Sequence, residues 1–296
     1  MRLSGSELLS PSLRARLEHL DLVSRKVLRG GMRGERRATR LGHSVEFADF
    51  RNYAPGDDVR FIDWNLYARL DRLFLKLFFQ EAERRVSILL DASPSMQFGQ
   101  PSKFDWARQL AAALAYIGLV RGDRVRIETL GQPLAQSATP FRGRVSAAAM
   151  LDRVASIEPE PPLPFSEGLK KFCVRTQPNT LAIVISDLLD KTGYREGIAA
   201  LTARQLEGFV IQVFSPEERH PDARGDLRLI DSEDAGATEI TASRAVVLRY
   251  EAKLAEYVAE VREYCRGRGI EYLLADSAMP VEQLVTDLLR RRGLVH

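Results

Sequence analysis

Apolar residues along the chain fall into two recurring patterns, short unbroken runs and helical stripes, and these alternate from residue 86 to the C-terminus. The clearest runs are Val86-Ser87-Ile88-Leu89-Leu90 and Leu181-Ala182-Ile183-Val184-Ile185-Ser186. Aliphatic stretches of this length, bounded by polar turns, predict strands covered on both faces, as in a parallel sheet. Further strands are expected over 73–79, 123–130, 208–214 and 270–274. Residues 134–140 are expected to return antiparallel, and 227–231 to pair with 238–240 in a small hairpin.

Helical spacing predicts helices over 11–28, from 102 to Gly122, and over 146–157, 165–175, 194–205 and 247–267, with a last one from Pro280. Ser102-Lys103-Phe104-Asp105 resembles a capping box, and Gly122 and Gly267 suit C-terminal caps. A proline cluster over 158–164 separates the third helix from the fourth. Alternating strands and helices give an α/β fold, a doubly wound, mostly parallel sheet in three layers, over residues 81–296.

Residues 1–80 read as an N-terminal extension made of the first helix, a basic loop and a segment of different character. From Glu46, aromatic, arginine and aspartate residues interleave in short turns around Pro55-Gly56-Asp57-Asp58. Arg51, Arg60 or Arg69 are expected to bridge Asp57, Asp58 or Asp63 in charge-assisted pairs. The basic stretch from Arg25 to Arg40 has no interleaved aromatics, so a solvated loop is favoured over docking to nucleic acid, anionic lipid or an acidic partner. Gly42-His43-Ser44-Val45-Glu46 lacks the second glycine of a nucleophile elbow.

Composition adds exclusions. With 45% apolar and 28% charged residues, the 296-residue chain is ordinary for a globular protein. No run approaches the roughly 18 to 20 apolar residues of a membrane span, and the first residues lack a signal-peptide core. Cys173 and Cys265 show no clustering and read as buried thiols in a reducing cytosol, so a cytoplasmic location is expected. A formal net charge of +3 does not by itself point to nucleic acid.

Both clear strands end in chemistry. Asp91-Ala92-Ser93-Pro94-Ser95 follows the first, and residues two apart in an extended turn point to one side. The Asp91 carboxylate with the Ser93 and Ser95 hydroxyls can therefore converge on one hard cation, and an all-oxygen set suits magnesium, manganese or calcium rather than zinc. The competing reading makes Asp91 and Ser93 caps of the next turn. Asp187 and Asp190 follow the second strand. Two parallel strands with acidic turns put Asp91 and Asp187 on one sheet edge, which favours the metal site.

With Asp187 placed so, the Asp91 motif resembles the von Willebrand factor A domain and its metal-ion-dependent adhesion site. Upstream, Arg51-Asn52-Tyr53-Ala54-Pro55-Gly56-Asp57-Asp58, Arg60, Ile62-Asp63-Trp64, Ala68-Arg69 and Leu75-Lys76-Leu77-Phe78 sharpen the resemblance. They are similar to the bacterial family catalogued as domain of unknown function fifty-eight. The resemblance implies a non-enzymatic adaptor working beside a MoxR-class AAA+ ATPase on an unknown protein client, in complex assembly, remodelling or metal insertion. It also implies a divalent cation on Asp91, Ser93, Ser95 and Asp187, with a loop threonine. Leu163 stands at or near that threonine's position, and Ser166 offers the hydroxyl there. Two carboxylates and two hydroxyls leave a hard cation short of ligands, so a partner carboxylate would complete it. A metal-dependent phosphohydrolase is the rival, but Ser93 stands where a general acid is needed. A nucleic-acid-binding protein acting through Arg25 to Arg40 is the third reading.

Overall fold

The computed structural model describes residues 8–22, 45–80, 84–130, 139–159, 163–222, 225–230, 236–289 and 294–295. They belong to two compact units, Leu28–Glu83 and, larger, Met1–Val27 with Arg84–His296.

The larger unit is built on a six-stranded sheet. Its strands are β3 (Arg85–Leu90), β4 (Arg124–Thr129), β5 (Phe141–Arg142), β6 (Leu181–Ser186), β7 (Glu207–Phe214) and β10 (Glu271–Asp276). They lie in the order β10-β7-β6-β3-β4-β5, and all neighbours are parallel except β4 and β5. The antiparallel return comes at Phe141–Arg142, opposite Val125 and Arg124, later than the expected 134–140. Residues 131–138 of that expected strand lie outside the described residues.

The unbroken aliphatic runs split between the faces with a period of two. Val86, Ile88, Leu90, Ile183, Ile185, Ile211 and Val213 join one buried cluster. Leu89, Ala182, Val184 and Val210 join the other. The first cluster holds helices α3 (Lys103–Val120) and α4 (Ala147–Ala155) against the sheet. The second holds α5 (Phe165–Arg175), α6 (Arg195–Ala203) and the long α8 (Arg244–Arg266). A sheet buried on both faces by two helical layers is the three-layer α/β arrangement expected.

The short helix α7 (Pro216–Arg219) follows β7, and β8 (Gly225–Ile230) pairs antiparallel with β9 (Ala237–Ala242) as the small hairpin expected. The last helix begins as α9 (Val281–Gln283) and continues as a π-helical turn, Leu284–Leu289.

The first helix, α1 (Pro11–Leu17), is shorter than the expected 11–28, and residues 23–28 lie outside the described residues. It belongs to the larger unit, not to a separate extension ending at residue 80. Leu8, Leu9, Leu13 and Leu17 are buried in the same cluster as α3, and the Tyr116 hydroxyl of α3 donates to Glu18 (2.9 Å).

The smaller unit is more regular than its composition suggests. β1 (Val45–Asn52) pairs antiparallel with β2 (Phe74–Gln80), with an irregularity between Phe47 and Asp49. Helix α2 (Trp64–Leu70) starts on Asp63, which accepts from the Asn65 and Leu66 amides. Reading this stretch as turns missed both β1 and α2, because its dense charges obscure either periodicity. Arg51 pairs with Asp57 (2.7 Å) and Arg60 with Asp58 (2.6 Å), as expected, whereas Asp63 takes Lys76 (3.2 Å) rather than an arginine. The basic stretch from Arg25 to Arg40 and Gly42-His43-Ser44 lie outside the described residues.

Candidate functional site

The carboxyl edge of β3, β6 and β7 gathers the chemistry. β3 continues one residue past its last rung, where the Asp91 amide donates to Ile185 O on β6 (2.9 Å). That bond sets the Asp91 side chain beside the end of β6, 8% exposed. Asp91 Oδ1 accepts from the Ser93 amide (2.9 Å), and Oδ2 accepts from the Ser186 hydroxyl (2.5 Å). Ser93 stands at the start of a 3-10 turn, Pro94–Gln97, yet its hydroxyl makes no capping bond there. Ser93 Oγ lies instead 3.0 Å from Ser95 Oγ. The two hydroxyls and the Asp91 carboxylate thus share one loop.

On β6, Ser186 accepts from the Leu188 amide (3.0 Å), and Leu188 takes a left-handed φ of 59°. The turn directs Asp187 inward, 2% exposed, with Oδ1 accepting from the Leu189 amide (3.1 Å). Gln212 of β7 fixes the backbone beneath: its Nε2 donates to Asp187 O (2.8 Å), and its Oε1 accepts from the Tyr272 hydroxyl (2.6 Å).

The expected quartet is not alone. Lys103, the first residue of α3, is fully buried, and its ammonium donates to Asp187 Oδ2 (2.7 Å) and Glu218 Oε1 (2.5 Å). Glu218 sits in α7 beyond β7, in a reciprocal capping box with Ser215. One ammonium from the start of α3 therefore ties together the turns that follow two neighbouring strands, β6 and β7. Burial works to lower its pKa, but the Asp187 and Glu218 carboxylates outweigh it and raise it, so Lys103 stays charged. The Asp91 pKa is raised as well, which for an acid works against its charge: burial, then the nearby Asp187 charge, push it up, opposed by the Ser186 and Ser93 hydrogen bonds.

Sequence reasoning missed Lys103, Glu218 and Ser186. A signal for the lysine existed: it opens a helix, where the dipole disfavours a cation, and the residues after it are apolar. Ser215-Pro216-Glu217-Glu218 likewise carries a capping-box spacing inside what read as a polar excursion. Ser166, the tentative extra ligand, is used elsewhere. Its hydroxyl donates to Gly193 O (2.7 Å) and accepts from the Gly197 amide (3.1 Å), joining α5 to α6.

As a donor set, Asp91, Ser93 and Ser95 suit a hard cation: all oxygen, one charge, two neutral hydroxyls. Asp187 has its Oδ2 on an ammonium already. Among the described residues, no three His, Cys, Asp or Glu side chains group as a metal cluster, so a cation here would depend on the two serines.

A family model described as "Protein of unknown function DUF58" matches residues 49–260. Uncharacterized proteins of Mycobacterium bovis and Mycobacterium tuberculosis are 27% identical over 269 residues, covering 89% of this chain and 84% of theirs. Among solved structures, a conserved hypothetical protein BatB from Bacteroides thetaiotaomicron aligns with a TM-score of 0.40 and 18% identity, over 71% of this chain and 98% of that one. An aerotolerance-related membrane protein from Bacteroides fragilis aligns with a TM-score of 0.39 and 16% identity, over 70% and 99%. No helix among the described residues is long and apolar enough to cross a membrane.

Proposed function

The chain belongs to the DUF58 family, and from that membership and the geometry of the Asp91 loop we propose that it is a non-enzymatic, von Willebrand factor A-like interaction protein. Its docking point is a divalent-cation site, and its partner a cytoplasmic MoxR-class AAA+ ATPase that it adapts to a protein client. The observation that carries the cation is the pair of hydroxyls, Ser93 and Ser95, 3.0 Å apart beside Asp91 at the carboxyl edge of the sheet. Ser93 is free of the capping bond that would explain it otherwise.

Asp91, Ser93 and Ser95 would hold the cation, which when bound would offer an open coordination position to a partner's carboxylate. The chain's own contribution is rigidity. Asp91 is fixed through both oxygens, and the ladder bond to Ile185 leaves its backbone no freedom. The two loops concerned also expose Phe98 and Leu189, apolar surface of the kind that docking buries. A phosphohydrolase reading is weaker, because the position two after Asp91 offers only a hydroxyl where a general acid is needed.

Titration calorimetry with magnesium or manganese tests the site. Heats that saturate for the wild type and vanish for Asp91→Ala support it, and equal heats for both overturn it. Affinity capture with an AAA+ ATPase encoded beside the gene tests the partner. Turnover of a generic phosphate ester, lost in Asp91→Ala, would favour the enzyme instead.

A further inference from the structure

Lys103 has no part in the expected ligand quartet, yet it is the most deeply buried charge at the site. Its ammonium holds the one Asp187 oxygen that the Leu189 amide leaves open. We propose that Lys103 is a positioning residue that withdraws Asp187 from direct coordination, so that Asp91, Ser93 and Ser95 are this chain's ligands and a bound cation depends on an anionic group from a partner. This rests on the cation reading above and adds a specific division of labour to it.

The geometry supports that division. Asp187 Oδ2 sits 2.7 Å from an ammonium that is wholly inaccessible to water, and Glu218 Oε1 holds the same nitrogen at 2.5 Å. Glu218 is itself anchored, because its Oε2 accepts from the Ser215 amide (2.9 Å) and its own amide donates to Ser215 Oγ (3.2 Å). The lysine is equally constrained at its backbone, donating to Phe98 O (3.0 Å). Breaking this pairing would strand charges in a dry interior, so Asp187 does not leave Lys103 for a weakly held ion. Cation affinity rises with the number of charged ligands. With one carboxylate instead of two, the site is weak alone and strengthens when a partner supplies the second, so occupancy is coupled to docking.

The test frees Asp187 without changing net charge. Lys103→Met/Glu218→Gln removes one positive and one negative group, keeps both volumes, and leaves position 218 able to accept from Ser215. Manganese affinity of the full chain is measured by titration calorimetry for this double variant, for the wild type, and for the double variant carrying Asp187→Asn as well. Binding at least tenfold tighter in the double variant, returning to the wild-type level with Asp187→Asn, is the expected result. A double variant that binds no more tightly, with circular dichroism and thermal unfolding showing it folded, overturns the proposal. So does a gain that survives Asp187→Asn.

Binding in the wild type that is lost in Asp91→Ala, with no gain in the double variant, leaves the cation reading standing and removes Lys103's role. Silence in the wild type with binding in the double variant overturns both, because the proposal needs a cation held by Asp91, Ser93 and Ser95 in the wild type. Should the double variant not fold, an anomalous difference map of manganese-loaded wild-type crystals decides instead. Asp187 still on Lys103 supports the proposal, and a direct metal–carboxylate bond in the hard-cation range of about 2.0–2.6 Å overturns it.

Discussion

The Ser186 hydroxyl reaches across the seam between β3 and β6 to donate a 2.5 Å hydrogen bond to Asp91 Oδ2. It is buried, and it also accepts from the Leu188 amide, so a single oxygen steadies both acidic turns. Ser186→Ala removes a donor to a buried carboxylate and leaves that oxygen unsatisfied, a loss of about 1–3 kcal/mol in unfolding free energy by urea titration. The same donor opposes the upward push on the Asp91 pKa from burial and Asp187. Without it Asp91 holds its proton to higher pH, so manganese affinity in Ser186→Ala falls more at pH 6 than at pH 8. An equal loss at both values would show that the hydroxyl does not act through the Asp91 charge.

Gly99 lies in the loop that leads from Ser95 to Lys103. Its φ is +95°, and a Cβ placed on it would stand 2.5 Å from Ser215 Cβ. A side chain here meets two separate objections, a left-handed backbone and a collision with the turn that carries Glu218. Gly99→Ala is expected to lower stability by about 1–3 kcal/mol and to weaken manganese binding along with it. Ser215→Gly removes the collision but also the hydroxyl that caps Glu218, so Gly99→Ala is compared with Ser215→Gly as the parent, where only the backbone strain remains and the cost is smaller than in the wild type. No cost at all in that parent would mean that the backbone conformation costs nothing.

How much of this was legible follows from where the signals live. The strands of the large sheet are visible as aliphatic runs, because a strand buried on both faces needs apolar residues at every position. That also placed Asp91 and Asp187 on one edge. β1 and α2 were not visible, since each is patterned by local charge pairs such as Arg51–Asp57 and by the Asp63 cap more than by an apolar stripe. Lys103 was hidden for a related reason. Its partners lie 84 and 115 residues away in sequence, and no local spacing encodes a contact made by strand order.

The position of α1 shows a boundary that composition places wrongly. Leu17 is fully buried within the cluster that also contains Leu110 and Leu114 of α3. Leu17→Ala should cost about 2–5 kcal/mol, measured by urea unfolding of the whole chain, as for a core leucine. A change below about 0.5 kcal/mol, the size usual at surface positions, would mean that the helix is a dispensable extension.

Asp123 supplies a pH dependence of its own. It follows α3, is 3% exposed, and its Oδ1 lies 3.4 Å from Arg84 Nε, while Oδ2 has no hydrogen-bond partner among the described residues. Burial raises its pKa from the ordinary 3.8 to about 6, more than the Arg84 charge lowers it. An acid whose folded pKa exceeds its unfolded value binds its proton more tightly when folded. Its stabilising contribution is therefore complete below about pH 4 and is lost as pH rises through about 6. Asp123→Asn keeps the shape and removes the titration. The difference in Tm between wild type and variant should then favour the wild type most at pH 4 and shift steadily toward the variant by pH 7. A difference that stays flat over that range would mean that the Asp123 carboxyl is ionised throughout, with Arg84 holding it there.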